Sequence, residues 1–512
     1  MESKKAALNI SVSIIFRIII IILSLFVRRY LVFLLGAEAN GLYSLYVSIL
    51  GVLSIAELGL GTAIIYSMYK PIVEKDNKTL TGLYHLYKKY YFVIGLIIFI
   101  GGLVVIPFLP YLAKENTGSF DLYLTYFIYL ASMVITYLFA YKTSTINAFK
   151  NNYITTIIRS IGLIIEAVLQ IIVLLVIHSF TGFFMAILIG SIFQWIATDI
   201  VFKKKYKNTL TSDYYLPNNV KKEVSKNTKA MFLHKIGGTL SNATSSLLIS
   251  ALISVIVLGK YANYILVMTG MIGLLNLVFS SITSIVGHYF IKHSKEHTLK
   301  LFNKVYLVNI IMGFIFLLGF HSTIENIIVI IFGRDQLIDS SIVIFITVSY
   351  FIRFMRQTVL LFKDASGNFY HDRYKPLIQG VASILLSLLL IKFMGIIGLL
   401  VSHIVTDLFI AHIVEPYVLF KYGFNKSSKD YFLYNYGLVT MFVISVLVIN
   451  LINYTSTNIW MELLINGSLS IIISIIFITI ICLSSRRFRE AVKMLLGDLR
   501  SFVKEINKKL RR

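Results

Sequence analysis

Five polar side chains recur on one face of an otherwise apolar stretch near the start of the chain. Asn9, Ser13, Arg17, Ser24 and Arg28 are separated by four, four, seven and four residues. At about 3.6 residues per turn these spacings stack on a single helix face. The stretch, Leu8 to Gly36, is long enough to cross a bilayer. A guanidinium in hydrocarbon costs at least a few kcal/mol, so it faces a bundle interior or a wet cavity. Arginines lining such a cavity bind anions, because their planar forks suit phosphate and carboxylate oxygens. Arg28 lies about 27 Å along the helix from Ile10, near the far interface, where Arg28 and above all Arg29 could instead snorkel. Arg17 lies too deep for that. Its alternative is an ion pair with Glu57, which sits at similar depth in the next apolar stretch.

Further polar groups interrupt later apolar runs. Thr155, Arg159, Glu166 and Gln170 share a helix face, fit either to line a cavity or to clamp a neighbouring helix. His234, Gly238, Ser241, Asn242 and Ser245 form one polar face, and Asn276, Ser280, Ser284 and His288 another. Such faces suit sugar hydroxyls and equally suit close helix packing. Arg353, Arg356 and Gln357 fall near a cytoplasmic helix end, where snorkelling is expected. His403 and Asp407 stand four residues apart, with Glu415 on the same side. A buried titratable pair of this kind either relays a proton or makes a static hydrogen bond. The sequence holds no phosphate-binding G-x-x-x-x-G-K-[ST] loop, no G-x-S-x-G elbow and no H-E-x-x-H. Its one cysteine, Cys482, excludes a disulfide framework and a thiolate metal site. No cofactor is expected; an ion gradient would supply any driving force.

The elements that carry these residues are membrane-spanning helices. Hydrophobic residues make up 57% of the 512 and charged residues 14%, well below the soluble norm of about 25%. Fourteen spans are expected, at 8–35, 40–69, 89–112, 119–142, 153–178, 182–202, 229–259, 262–291, 304–333, 338–363, 376–393, 396–420, 431–453 and 459–484. The first is too long for a signal-peptide core and lacks a cleavage site. With both termini cytoplasmic, forty of the 48 Lys and Arg fall in inside segments and four, Lys114, Lys260, Arg334 and Lys392, outside. That asymmetry follows the positive-inside rule. It accounts for most of the net charge of +24 without invoking nucleic acid.

The fold class is therefore an all-α polytopic membrane protein. Its expected divisions are 1–202 (spans 1–6), a cytoplasmic linker 203–228, 229–424 (spans 7–12), 425–484 (two extra spans) and a basic amphipathic tail 485–512 drawn to anionic lipid. A short repeat supports two parallel six-helix lobes. Leu35-Gly36-Ala37-Glu38-Ala39-Asn40 and Leu258-Gly259-Lys260-Tyr261-Ala262-Asn263 both read L-G-x-x-A-N, at the same place in each half.

Three segments resemble Wzx-type polysaccharide flippases of Gram-positive bacteria. They are Gly41-Leu-Tyr43 through Ser54-Ile-Ala-Glu57-Leu-Gly59-Leu-Gly61 to Tyr69-Lys70-Pro71, Phe232-Leu-His234-Lys235-Ile-Gly237-Gly238, and Ser280-Ser-Ile-Thr283-Ser-Ile-Val-Gly287. These flippases share a superfamily with MATE multidrug exporters and lipid II flippases. The resemblance implies two lobes around a V-shaped cavity lined by spans 1, 2, 7 and 8. It implies alternating access that carries undecaprenyl-pyrophosphate-linked oligosaccharide from the inner to the outer leaflet of the bacterial plasma membrane, for capsule or other surface polysaccharide. The polymerase and glycosyltransferases of that pathway would be partners. On this expectation Arg17 and Arg28 bind the pyrophosphate, Arg29 and Arg159 assist, Glu57 belongs to the wall, and His234, Asn242 and His288 face the sugars. One departure stands out: span 7 reads Asn242-Ala-Thr244-Ser245-Ser246 where relatives often carry an acid, which speaks against cation coupling there. The alternatives are a MATE-type exporter of organic cations, which wants acidic walls, and a membrane glycosyltransferase or polymerase, which wants larger outside loops.

Overall fold

A computed structural model describes residues 2–57, 60–115, 118–211, 244–367, 371–485 and 487–497, with isolated positions between 214 and 224. The described residues are helical almost throughout and contain no strand.

The first helix, α1 (Glu2–Leu53), runs 52 residues, about 78 Å if straight, against a hydrocarbon core of about 30 Å. It does not run straight. Gly36 adopts φ 83° and ψ 178°, a region glycine enters at little cost and other residues do not. The Arg28 side chain reaches Ser44 Oγ at 3.3 Å, two residues that a straight helix would hold about 24 Å apart. Gly36 therefore turns the chain back on itself. A short 3-10 turn, Ser54–Glu57, then leads to α2 (Leu60–Glu74).

Next come α3 (Asn77–Val105), the short α4 (Leu109–Leu112), α5 (Leu122–Ala148), α6 (Asn152–Val176) and α7 (Phe180–Lys205). Proline at 107 and 110 breaks the end of α3. Caps start α5 and α7: Asp121 accepts from Leu124 N, and Ser179 from Gly182 N, each at 3.0 Å. At α3 the cap is Asp76, whose carboxylate takes Thr79 N at 3.0 Å. The Thr79 side chain and backbone hold the Asp76 carboxyl below its ordinary range, so the cap is complete above that range and is lost as pH falls through it. Asp76→Ala should cost about 1 kcal/mol, read as faster amide exchange in the first turn of α3. Unchanged exchange would show that the cap contributes nothing.

The remaining elements are α8 (residues 244–252), α9 (Val255–Lys292), α10 (Lys295–Phe332), α11 (Ser340–Met355), α12 (Gln357–Ser366), α13 (Lys375–Thr406), α14 (His412–Val418), α15 (Lys429–Ile452) and α16 (Ile459–Ser484). Within α13, Gly395 at φ 56° repeats the role of Gly36. Ser383 Oγ meets His403 Nδ1 at 3.1 Å, a pair about 30 Å apart on a straight helix. Two π-helical turns, Asp407–Ala411 and Leu419–Phe424, flank α14.

Among the described residues, eleven stretches are long and apolar enough to cross a membrane. The two containing Gly36 and Gly395 fold back and carry two of the expected crossings each. The first half of expected span 7, residues 229–243, lies outside the described residues. Apolar side chains point outward in bands, such as Phe92, Leu96, Ile100 and Val104 on α3 and Ile472, Ile476, Ile480 and Leu483 on α16. An aqueous surface does not tolerate that much contiguous apolar area, whereas a bilayer requires it.

The chain divides into two compact units, Met1–Asn263 and Tyr264–Arg512. In the first, α5 and α6 pack on α7, α1 on α6 and α3 on α5, around an aromatic core that includes Tyr43, Tyr46, Tyr129, Phe180 and Phe184. In the second, α10 packs on α16 and α11, and α11 on α13. Its core stacks Phe351 on Phe442 at 3.7 Å. The tail begins by docking on protein: Phe488 and Ala491 are buried, and Phe488 meets Tyr306 and Tyr434. Residues 498–512, the rest of the expected amphipathic helix, lie outside the described region.

Candidate functional site

The arginine stripe of α1 splits into two environments. Arg17 is exposed and makes no hydrogen bond or ion pair among the described residues, so the anticipated Arg17–Glu57 bridge is absent. Arg28 faces the hairpin made by Gly36. Its Nη1 donates to Asn40 Oδ1 and to Ser44 Oγ, and its guanidinium lies 4.8 Å over the Tyr43 ring. Asn40 is fully buried, and its amide donates to Gly259 O at 2.6 Å and to Asn263 Oδ1 at 2.8 Å. The two asparagines of the L-G-x-x-A-N repeat thus bond to each other. Glycine permits that approach. A Cβ at Gly41 would lie 1.9 Å from Val255 O, and one at Gly259 would lie 1.9 Å from Ala37 O. Arg29 is exposed. Asn9 and Ser13 belong to the part of α1 whose side chains lie outside the described set.

A cavity of about 660 Å³ opens in the first unit. The 3-10 turn supplies Glu57, α3 Tyr91, α5 Tyr137 and Asn147, α6 Arg159, and α7 Gln194. Two residues singled out for different reasons, Glu57 and Arg159, therefore share one space. They do not pair: Glu57 Oε1 accepts from the Tyr91 hydroxyl at 3.4 Å, while Arg159 is exposed and has no partner among the described residues. Thr155 Oγ1 donates to Asn147 Oδ1 at 2.7 Å, which leaves the Asn147 amide as a donor. Gln194 fits only because position 162 is glycine, where a Cβ would stand 2.4 Å from Gln194 Cγ. One and two turns further along α6, Glu166 lies against Gly190 of α7 and Gln170 is buried.

The second unit holds a buried ionic cluster that the sequence reading did not foresee. Arg353 Nε donates to Asp407 Oδ2 at 2.9 Å, and Arg356 Nη1 to Asp407 Oδ1 at 3.1 Å. Arg356 also forks onto Glu415, with Nε–Oε2 at 2.9 Å and Nη2–Oε1 at 2.7 Å. Lys375 Nζ reaches Glu415 Oε1 at 2.5 Å, and Gln379 Nε2 reaches Asp407 at 2.7 Å. Lys363 and Asp372 form a further buried pair. Arg353 and Arg356 therefore do not snorkel; carboxylates on a neighbouring helix hold them inside. The i, i+4 pair His403 and Asp407 makes no mutual hydrogen bond. His403 turns to Ser383, and Asp407 to the two arginines. A buried polar chain joins α14, α15 and α10, since Asn435 Nδ2 donates to His412 Nδ1 at 2.8 Å and Tyr306 donates to Asn435 Oδ1 at 2.9 Å.

His288 is exposed on α9. Asn276 Oδ1 is buried with no hydrogen-bond partner among the described residues. His234 and Asn242 lie outside the described residues.

No family model matches the chain, and no curated protein matches it in sequence. Solved structures do. The lipid II flippase MurJ in its inward closed conformation matches with a TM-score of 0.61 at 17% identity, over 91% of this chain and 99% of that one. An inward-facing multidrug resistance MATE family transporter of the MOP superfamily gives 0.60 at 14%, over 84% and 98%. The Vibrio cholerae MATE transporter VcmN, in a point-mutant form, gives 0.53 at 12%, over 81% and 98%. At these identities the likeness establishes the fold. The chain is a multi-pass, all-α membrane protein that shares the fold of these transporter structures.

Proposed function

We propose that the protein flips undecaprenyl-pyrophosphate-linked oligosaccharide from the inner to the outer leaflet of the bacterial plasma membrane by alternating access, in the synthesis of a surface polysaccharide. The observation that carries this reading is Arg17, a cation within a membrane-spanning helix with no partner among the described residues. A permanent charge held in the membrane without a counter-ion among the described residues is accounted for by an anionic cargo. The fold shared with a lipid II flippase supports the reading, as does the residue-level resemblance of the segments around Glu57 and Gly287. Arg28 acts here as a positioning residue that fixes the hairpin beside the site, with Arg17 as the phosphate ligand.

Losing one charge-assisted fork removes about 1.5–3 kcal/mol. Arg17→Ala should therefore lower transport of the lipid-linked substrate in proteoliposomes about ten- to a hundredfold, and Arg17→Lys less. Unchanged transport in both would remove Arg17 from the site. A cationic cargo is favoured by the Glu57 carboxyl group in the cavity. Efflux of a cationic dye by the reconstituted protein would establish that alternative.

A further inference from the structure

A smaller recess of the first unit opens on the flank of α3 that carries its outward apolar band. We propose that this recess binds the headgroup of one anionic phospholipid, with Lys88 and Lys89 as ligands of the phosphate and with Phe92 and Leu138 against the first part of the acyl chains. The proposal does not depend on what the protein transports.

The recess follows from the packing of α3 on α5. Glycines bring the two helices together at two levels. A Cβ at Gly102 would stand 2.4 Å from Leu130 Cδ1, and one at Gly95 would stand 3.4 Å from Tyr137 Cβ. Another step of seven along α3 reaches Lys88. At that level rings meet rather than glycines, with the centroids of Tyr84 and Tyr141 5.2 Å apart. A space of about 340 Å³ opens there. From α3 it is lined by His85, Lys88, Lys89 and Phe92, and from α5 by Leu138 and Tyr141.

Charge and depth name the occupant. Neither Lys88 nor Lys89 has an ion-pair partner among the described residues, and no carboxylate lines the recess. Elsewhere in the unit, Lys142 and Lys203 are both tied to Asp199. His85, Lys89, Phe92, Leu96 and Ile100 follow one face of α3 at spacings of four, three, four and four. The apolar part of that stripe is exposed, Phe92 by 62%, Leu96 by 47% and Ile100 by 52%. Acyl chains meet such a face, so the lysines stand where hydrocarbon gives way to lipid phosphates. Lysines on a convex face would only brush passing headgroups. Here they line a concavity with an aromatic wall, at the small end of the range for ligand sites, about 300–1,000 Å³. The His85 ring lies on Tyr214 at 4.7 Å and 23°. Its nitrogens make no hydrogen bond among the described residues, which leaves them for a phosphate oxygen or a headgroup hydroxyl.

The test is native mass spectrometry of the full-length protein, with phosphatidylglycerol and phosphatidylcholine of identical acyl chains as probes. The first phosphatidylglycerol should bind about tenfold more tightly than the first phosphatidylcholine, since each lysine beside a lipid phosphate contributes up to about fivefold. Lys88→Gln with Lys89→Gln should abolish that preference. Lys204→Gln with Lys205→Gln, on α7 and not lining the recess, should keep it. All four lysines are exposed, so both double variants should unfold at the wild-type temperature. Equal binding of the two lipids to the wild type, a preference that survives Lys88→Gln with Lys89→Gln, or an equal loss in the Lys204 and Lys205 control would each overturn the proposal. So would displacement of phosphatidylglycerol by an equal concentration of inorganic phosphate, which would make the recess a site for a free anion.

Discussion

Glu415→Gln should sharply lower the stability of the second unit. Glu415 is almost fully buried and receives the Arg356 fork and the Lys375 ammonium. Around it, three cations (Arg353, Arg356, Lys375) meet two carboxylates (Asp407, Glu415). Removing one carboxylate leaves Lys375 buried with no counter-ion among the described residues and disrupts the Glu415 fork, which supplies two of the three bonds that Arg356 makes to carboxylates. Breaking a buried ion pair from one side costs about 3–5 kcal/mol, because the remaining charge cannot regain its hydration. That corresponds to a fall of about 10 °C in unfolding temperature for a unit of this size, with loss of monodisperse protein in detergent. Removing charge from both sides, as Glu415→Gln with Lys375→Met, should recover much of the loss. A single variant that melts with the wild type would show that water reaches the cluster freely and that the burial argument fails.

Gly41→Ala and Gly259→Ala form the second pair of large effects. Each new methyl group would lie 1.9 Å from a backbone carbonyl oxygen, of Val255 and Ala37 respectively. Backbone cannot rotate aside as a side chain can, so the helices must separate. Separation would strain the Asn40–Asn263 bond, and it would weaken the hold of Asn40 on Arg28. Overpacking of this kind costs about 1–3 kcal/mol, and more where backbone is the obstacle. Gly437→Ala is the control. Nothing lies within 4 Å of a Cβ there, and alanine in a helix interior is favoured over glycine by about 0.5–1 kcal/mol. Thermal unfolding should rank Gly437→Ala at or above the wild type and both close-contact variants well below it. The reverse order would show that the repeat is not a contact.

What the sequence discloses and what it hides divide along a physical line. Apolar run length and the placement of Lys and Arg are properties of single segments, and both show in the string. The repeat is visible as well, but the meeting of Asn40 with Asn263 is not, since no periodicity records a bond across 223 residues. Arg353 and Arg356 point to the membrane interface only while each helix is considered alone. Their spacing of three faces a spacing of eight between Asp407 and Glu415. Two cations on one span and two acids on another, none with a partner on its own helix, are the signal that could have located the cluster. The π-helical turn at Asp407–Ala411 leaves no trace in hydrophobic spacing. Glu57 and Arg159 each stand out in the string, but that they share one cavity needs the packing of α3, α5, α6 and α7.

The polar chain beyond the cluster bears on where the protein can be cut or tagged. Tyr436 of α15 donates to Leu408 O at 2.9 Å, within the π-helical turn where the backbone register shifts, and Asn435 holds His412. A polypeptide ending after Phe424 would strip both partners away and leave an imidazole and a carbonyl facing acyl chains. The last two helices are thus a seam sewn into the preceding ones. Reporter fusions used to map sidedness should be joined beyond Ala491, past the docked start of the tail, because earlier junctions would report on a damaged molecule.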